Sequence, residues 1–315
     1  MSQAFVAAPG AGRRPFLDGL VEHGLLVPSA VPGVYGRGAQ FERVLVAFDD
    51  LVARETAPDG AELVRFPPTL PRRQLEQSGY LKSFPHLAGT VFTFAGGERE
   101  AVELAELSER HESWSHLQAS SDLTLQPAAC YPVYPMVATA GALPEGGRLV
   151  DVQGWCYRSE PSDDPARMQA FRMHELVRLG APAEVAEWKD AWVARGTDVL
   201  RTVGLDVATA PANDPFFGRG GRVLAASQRE QGLKTEILAE ISSSEQPTPV
   251  MSVNLHLDHF GLDFGIRTAD GAVAHTACLG FGLERVTLAL FRRHGLDLKS
   301  WPRETLAVLG LGERA

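Results

Sequence analysis

The sequence predicts an α+β protein, an antiparallel β-sheet flanked by helices, and three segments carry that prediction. In residues 40 to 56, Phe41, Val44, Leu45, Phe48, Leu51 and Val52 recur at three- and four-residue spacing, the period of an amphipathic helix. Arg148 to Tyr157 and residues 170 to 179 are strands joined by a polar Pro/Ser/Asp loop, which makes an antiparallel hairpin. Strands at 233–241, near 250–257 and at 261–267 then precede HTACLGFGLERVTLALF, residues 275 to 291. There an apolar segment reaches a turn bearing Gly280 and Gly282 and enters a helix whose buried face is Val286, Leu290 and Phe291.

The remaining elements follow in order. Residues 1 to 15 are rich in Ala and Gly and are expected to form a flexible N-terminus; residues 16 to 315 read as one domain, with no internal repeat or linker. A helix near 16–25 and a turn-rich GVYGRGAQ stretch precede the long helix, which Pro58-Asp59-Gly60 stops. The strand from Glu62 to Phe66 ends at Pro67 and Pro68, which lack the amide protons that continued pairing needs. Residues 79–94 read as loop then strand, and the charge-rich 98–118 as a surface helix. Residues 121–136 alternate before a proline-punctuated bend that holds Cys130. Period-two alternation in the 170–179 strand puts Arg172, His174 and Leu176 on one face and Glu175 on the other. A helix at 183–195 turns Val185, Trp188 and Trp192 inward, and the Gly/Arg stretch 214–228 reads as a mobile loop.

With 315 residues and 44% hydrophobic content the chain can bury a substantial core. The formal net charge of -9 argues against a broad basic surface for nucleic acid. Three scattered cysteines, Cys130, Cys156 and Cys278, do not make a disulfide scaffold and fit a reducing compartment. Arg13, Arg14, Asp18 and Glu22 interrupt any signal-peptide core, and no apolar run reaches membrane-spanning length. A cytoplasmic protein is the expectation.

Several residues bear chemistry. Arg158 and Arg285 sit at strand-turn and turn-helix junctions, two planar guanidinium forks suited to a polyphosphate. Glu160 can accept from an exocyclic amine, help hold a metal, or form a surface pair with Arg158. Glu240 and Ser243 can share Mg2+ or belong to a solvated loop. Cys130 and Cys278 lack any local metal spacing and read first as buried core thiols. Glu175, set in an apolar strand, wants a cation, so two thiolates and a carboxylate with an open fourth position form a possible catalytic zinc shell. The HLDHF run is a rival: on a strand, His256 and Asp258 point together and His259 away.

The helix-strand-proline unit at 40–67, the Arg-x-Glu hairpin at 158–177 and GFGLER at 280–285 resemble, in order, the three signature motifs of class II aminoacyl-tRNA synthetases. RMHE at 172–175, EISS at 240–243, VNL at 253–255 and HTAC at 275–278 are similar to seryl-tRNA synthetase segments. VYGRGAQFE, RFPP, SGYLKSFP, LAGTV, PAACYPVYP and DHFG extend the resemblance over nearly the whole chain to the amino acid:carrier-protein ligases, truncated seryl-tRNA synthetase homologues.

The resemblance implies a class II catalytic fold and an ATP-dependent ligase. It would activate a small amino acid, with glycine or alanine expected, as the aminoacyl-adenylate and load it on the phosphopantetheine thiol of an acyl carrier protein. It implies that Arg158 holds the α-phosphate, Glu160 the adenine, and Arg285 the adenine or γ-phosphate from the other side. It assigns magnesium to Glu240 and Ser243, and zinc (Zn2+) to Cys130, Glu175 and Cys278, with the zinc binding the substrate amine. Asn254 matches a pocket residue with Lys234 beside it, and the 40–67 unit implies a homodimer. Leu176 stands where bacterial seryl-tRNA synthetases place an adenine-stacking Phe, which leaves Phe171 or Met168 for that role. No long heptad arm precedes the catalytic region, which with the acidic charge makes tRNA an unexpected acceptor.

Overall fold

The computed structural model describes residues 14–218, 228–229 and 231–312. Residues 1–13 of the expected flexible N-terminus and 219–227 of the Gly/Arg stretch lie outside the described residues. The chain enters through α1 (Arg14–Glu22) and the paired strands β1 (Leu26–Pro28) and β2 (Tyr35–Arg37), followed by α2 (Ala39–Thr56) and β3 (Glu62–Arg65). A small unit comes next: β4 (Thr69–Pro71), α3 (Arg72–Gln77), α4 (Tyr80–Ser83), β5 (Thr90–Phe94), α5 (Glu98–Glu109) and β6 (Gln118–Leu125), its three strands in the order β4-β6-β5. After α6 (Val133–Thr139) come β7 (Arg148–Tyr157), β8 (Ala170–Gly180), α7 (Pro182–Thr202), β9 (Val207–Pro211), β10 (Lys234–Ala239) and β11 (Thr248–Leu257). The chain closes with α8 (His259–Phe264), β12 (His275–Gly282), α9 (Leu283–His294) and α10 (Arg303–Val308).

Among the described residues the main sheet has seven strands in the order β3-β7-β8-β12-β11-β10-β9. Only β3 runs parallel to its neighbour; the other pairs are antiparallel, as the hairpin reading of β7 and β8 requires. On one face the six apolar residues expected of α2 are all buried. Phe41 stacks on Phe291 of α9 with ring centres 6.0 Å apart, and Phe48 meets Phe281 of β12 edge-on at 5.7 Å. α7 packs across β8, β11 and β12 and continues to Thr202, two turns beyond the segment expected from its apolar spacing.

Three expectations are corrected. The surface helix at 98–118 stops at Glu109, where His111 adopts a left-handed φ of 56° and β6 begins at Gln118. The strand expected at 261–267 is instead α8. Leu257, at φ 54°, ends β11, and Phe260 then stacks on Tyr134 at 3.8 Å. Gly280 and Gly282 do not form a turn, because β12 runs through both directly into α9. Gly280 serves space instead: a Cβ there would lie 2.8 Å from Met173 Cε and 3.1 Å from Glu175 Cγ.

Alternation along β8 holds. Arg172 turns to the helix side, where it meets Glu42 at 2.7 Å and Glu284 at 3.0 Å. His174 lies buried between Asp49 of α2 at 2.6 Å and Asp151 of β7 at 2.9 Å. Burial pulls the imidazole pKa down, but the two carboxylates outweigh it and raise it from 6.5 to about 9. Its folded pKa therefore exceeds its unfolded one, so the imidazolium stabilises fully below pH 6.5 and that contribution is lost as pH climbs to about 9. The unfolding free energy obtained from urea titrations across this window should fall for the native chain by up to about 3 kcal/mol, and the fall should vanish in His174→Gln.

Candidate active site

The face of the sheet opposite α2 and α9 opens into a cavity of about 700 Å³. β8 sends Phe171, Met173 and Glu175 into it, the residues that alternate with Arg172 and His174. Arg158, just past the end of β7, donates its Nε to Pro127 O at 3.1 Å and lies 5.4 Å over the ring of Phe171. Arg285, in the first turn of α9, donates to Ala166 O at 2.8 Å and to Pro249 O at 3.1 Å. Backbone carbonyls thus fix both guanidiniums. Burial first, then the charges of Arg158 and Arg167, depress the Arg285 pKa to about 10. Crowded guanidiniums of this kind are relieved by a polyanion. Glu160 also lines the cavity and accepts from Arg167 at 3.4 Å.

Cys130, Glu175 and Cys278 come together from three separate elements: the bend before α6, the middle of β8 and β12. Their ligand atoms lie within 4.8 Å of one another and all three side chains are buried. Glu175 accepts from the Ala129 amide at 2.7 Å, yet burial and then the Cys278 sulfur raise its pKa to about 7. A buried carboxylate and two sulfurs crowded together lack positive charge of their own, and their atom types and spacing fit zinc.

Asn254 pairs in register with Cys278 on one side and with Lys234 on the other, so Lys234 does stand beside it. The Asn254 amide donates to Cys278 Sγ at 3.7 Å, whereas its Oδ1 is buried without a hydrogen-bond partner. Lys234 is held by Asp214 at 2.6 Å and Glu236 at 3.1 Å.

Not every expected residue joins this group. Glu240 accepts from Arg292 at 3.0 and 2.7 Å and does not line the cavity, while Ser243 lines it and accepts from the Gln246 amide at 3.3 Å. Glu240 is thus paired with Arg292 near the surface, while Ser243 stands on the cavity wall. Leu176 is fully buried in the helix-side core, whereas Phe171 and Met168 line the cavity. Cys156 is buried and its thiol lies 3.7 Å from Gly154 O, apart from the triad. Two cavity residues escaped the sequence reading. Asp214 sits in a stretch that reads only as loop, and His256, which HLDHF groups with Asp258, instead has its Nε2 3.5 Å from Cys278 Sγ. HTAC and VNL, once paired as neighbouring strands, were the signal that could have found His256.

No family model matches the chain. Two curated relatives from Bradyrhizobium diazoefficiens are extensively similar to it. Amino acid–acyl-carrier-protein ligase 1 is 44% identical over 279 residues, 89% of this chain and 85% of the relative. Ligase 2 is 41% identical over 315 residues, 99% of this chain and 94% of the relative. Among solved structures, the M. kandleri seryl-tRNA synthetase in complex with A. aeolicus tRNASec superposes with a TM-score of 0.78 at 20% identity, over 96% of this chain and 62% of that one. The Pyrococcus horikoshii seryl-tRNA synthetase complexed with ATP gives 0.69 at 16% identity, over 94% of this chain and 62% of that one. At such identities these structures show the fold, that of class II aminoacyl-tRNA synthetases, and the chain spans less than two thirds of either.

Proposed function

Since this chain belongs to the amino acid–acyl-carrier-protein ligase family, we propose that it activates a small amino acid with ATP and transfers the aminoacyl group to the phosphopantetheine thiol of a carrier protein. The observation that carries this reading is one cavity holding both a guanidinium-lined wall and a buried Cys-Glu-Cys triad. In the first step a carboxylate oxygen attacks the α-phosphorus of ATP and pyrophosphate leaves. Arg158 and Arg285, fixed by carbonyls, meet the charge that spreads over the phosphate oxygens. Glu160 accepts from the adenine amine, and Phe171 offers a flat face for the ring. Magnesium arrives with the nucleotide, as its preference for phosphate oxygens and water allows. In the second step the carrier thiolate attacks the carbonyl carbon, a thioester forms and AMP departs.

Cys130, Glu175 and Cys278 are the donor set for zinc, which when bound supplies a Lewis-acid site for a neutral amine. Asn254 Oδ1, buried and unpartnered, offers an acceptor close to the same site. Tyr131, Met173 and Phe260 line the cavity with bulk, which favours glycine or alanine over larger acids. Val46 of α2 and Leu63 of β3 remain 49% and 68% exposed, two apolar side chains on the unit where a homodimer would be built. The net charge of -9 disfavours tRNA as the acceptor.

The test is direct loading. Incubation with ATP, glycine or alanine and a phosphopantetheinylated carrier protein should add one aminoacyl residue to the carrier, in a bond that hydroxylamine cleaves. Charging of tRNA with no carrier loading would reverse the assignment.

A further inference from the structure

β11 and β12 lose register between Leu255 and Leu257: Leu255 pairs with Ala277, Leu257 pairs with Thr276, and His256 is left over as a bulge. Bulges re-aim side chains, and this one is followed by a non-glycine residue in the left-handed region, Leu257 at φ 54°. The distortion delivers the imidazole to one place. Its Nε2 lies 3.5 Å from Cys278 Sγ and its Nδ1 lies 3.1 Å from Thr276 Oγ1. Phe260, 4.9 Å away at 75°, and Tyr134, 6.2 Å away at 88°, fix the ring plane edge to face. Among the described residues the imidazole stands outside the set of mutually close ligand atoms, which is Cys130, Glu175 and Cys278.

We propose that His256 is the positioning residue of the metal-binding triad, holding the Cys278 sulfur toward Cys130 and Glu175 by a hydrogen bond from Nε2. With the neutral ring protonated on Nε2 toward the sulfur, Nδ1 accepts from the buried Thr276 hydroxyl 3.1 Å away, so a single tautomer satisfies both ring nitrogens. Asn254 Nδ2 is a second donor to the same sulfur at 3.7 Å, so two side chains of β11 orient one ligand of β12. Outer partners of this kind set ligand direction and donor strength. The proposal rests on the zinc reading of the triad and adds a residue to it.

Zinc affinity, measured by competition with a chromophoric chelator, tests it in the native chain, His256→Ala and His256→Gln, alongside cobalt-substituted spectra. The Ala variant should bind zinc about 10- to 100-fold more weakly. The Gln variant, whose amide N–H can still donate to the sulfur, should recover most of that loss. The cobalt spectra of all three should keep the same coordination, with two thiolate charge-transfer contributions. Native affinity in a folded Ala variant overturns the proposal, as does a cobalt spectrum that loses a nitrogen ligand on substitution, which would make His256 a ligand. A native chain that binds no zinc removes the zinc reading itself, and this proposal with it.

Discussion

Arg285→Ala should lower the rate of amino-acid-dependent pyrophosphate exchange by about a thousand-fold while leaving the zinc content unchanged. The size follows from what the side chain does. Its guanidinium is aimed by Ala166 O and Pro249 O and shares the cavity with Arg158, so no neighbour can take over its charge in that position. Arg285→Lys should recover little, because an ammonium cannot hold both carbonyls and still present a planar face. The depressed pKa of about 10 supports the same point: the group is desolvated and crowded by cations, an arrangement relieved when anionic phosphates bind. Steady-state exchange with parallel metal analysis checks this. A loss below tenfold would remove Arg285 from the chemistry.

Cys278→Ser should lose zinc and activity together, each by more than about a hundred-fold. Three buried donors from three elements make the site, and replacing one sulfur with a hydroxyl removes the thiolate against which Asn254 and His256 are arranged. The Arg285 and Cys278 variants should therefore separate: the first keeps its metal, the second does not. Metal analysis of purified folded protein and exchange rates on the same sample make the comparison. Full activity in a zinc-free Cys278→Ser protein would end the zinc assignment.

Much of this architecture is legible in the residues because packing enforces their period. The apolar stripe of α2 has one solution, and all six of its positions are buried. The alternation that separates His174 from Glu175 places one between two carboxylates and the other in the triad. What escapes is non-local or breaks the period. α8 could not be told from a strand, because a left-handed Leu257 and the docking of Phe260 on Tyr134, not composition, decide it. The same bulge puts His256 beside Cys278, 22 residues away, which no spacing along the chain announces. Gly280 looked like a bend and is a gap made for Met173 and Glu175. Glu240, a matching residue by resemblance, pairs with Arg292, a partner 52 residues distant.

The measurement that bears most directly on the account is amino-acid-dependent exchange of pyrophosphate into ATP, run over a panel of small amino acids before and after zinc is stripped. The account predicts exchange with glycine or alanine that a chelator abolishes and zinc restores. Zinc-loaded, folded protein that exchanges with no amino acid would contradict it.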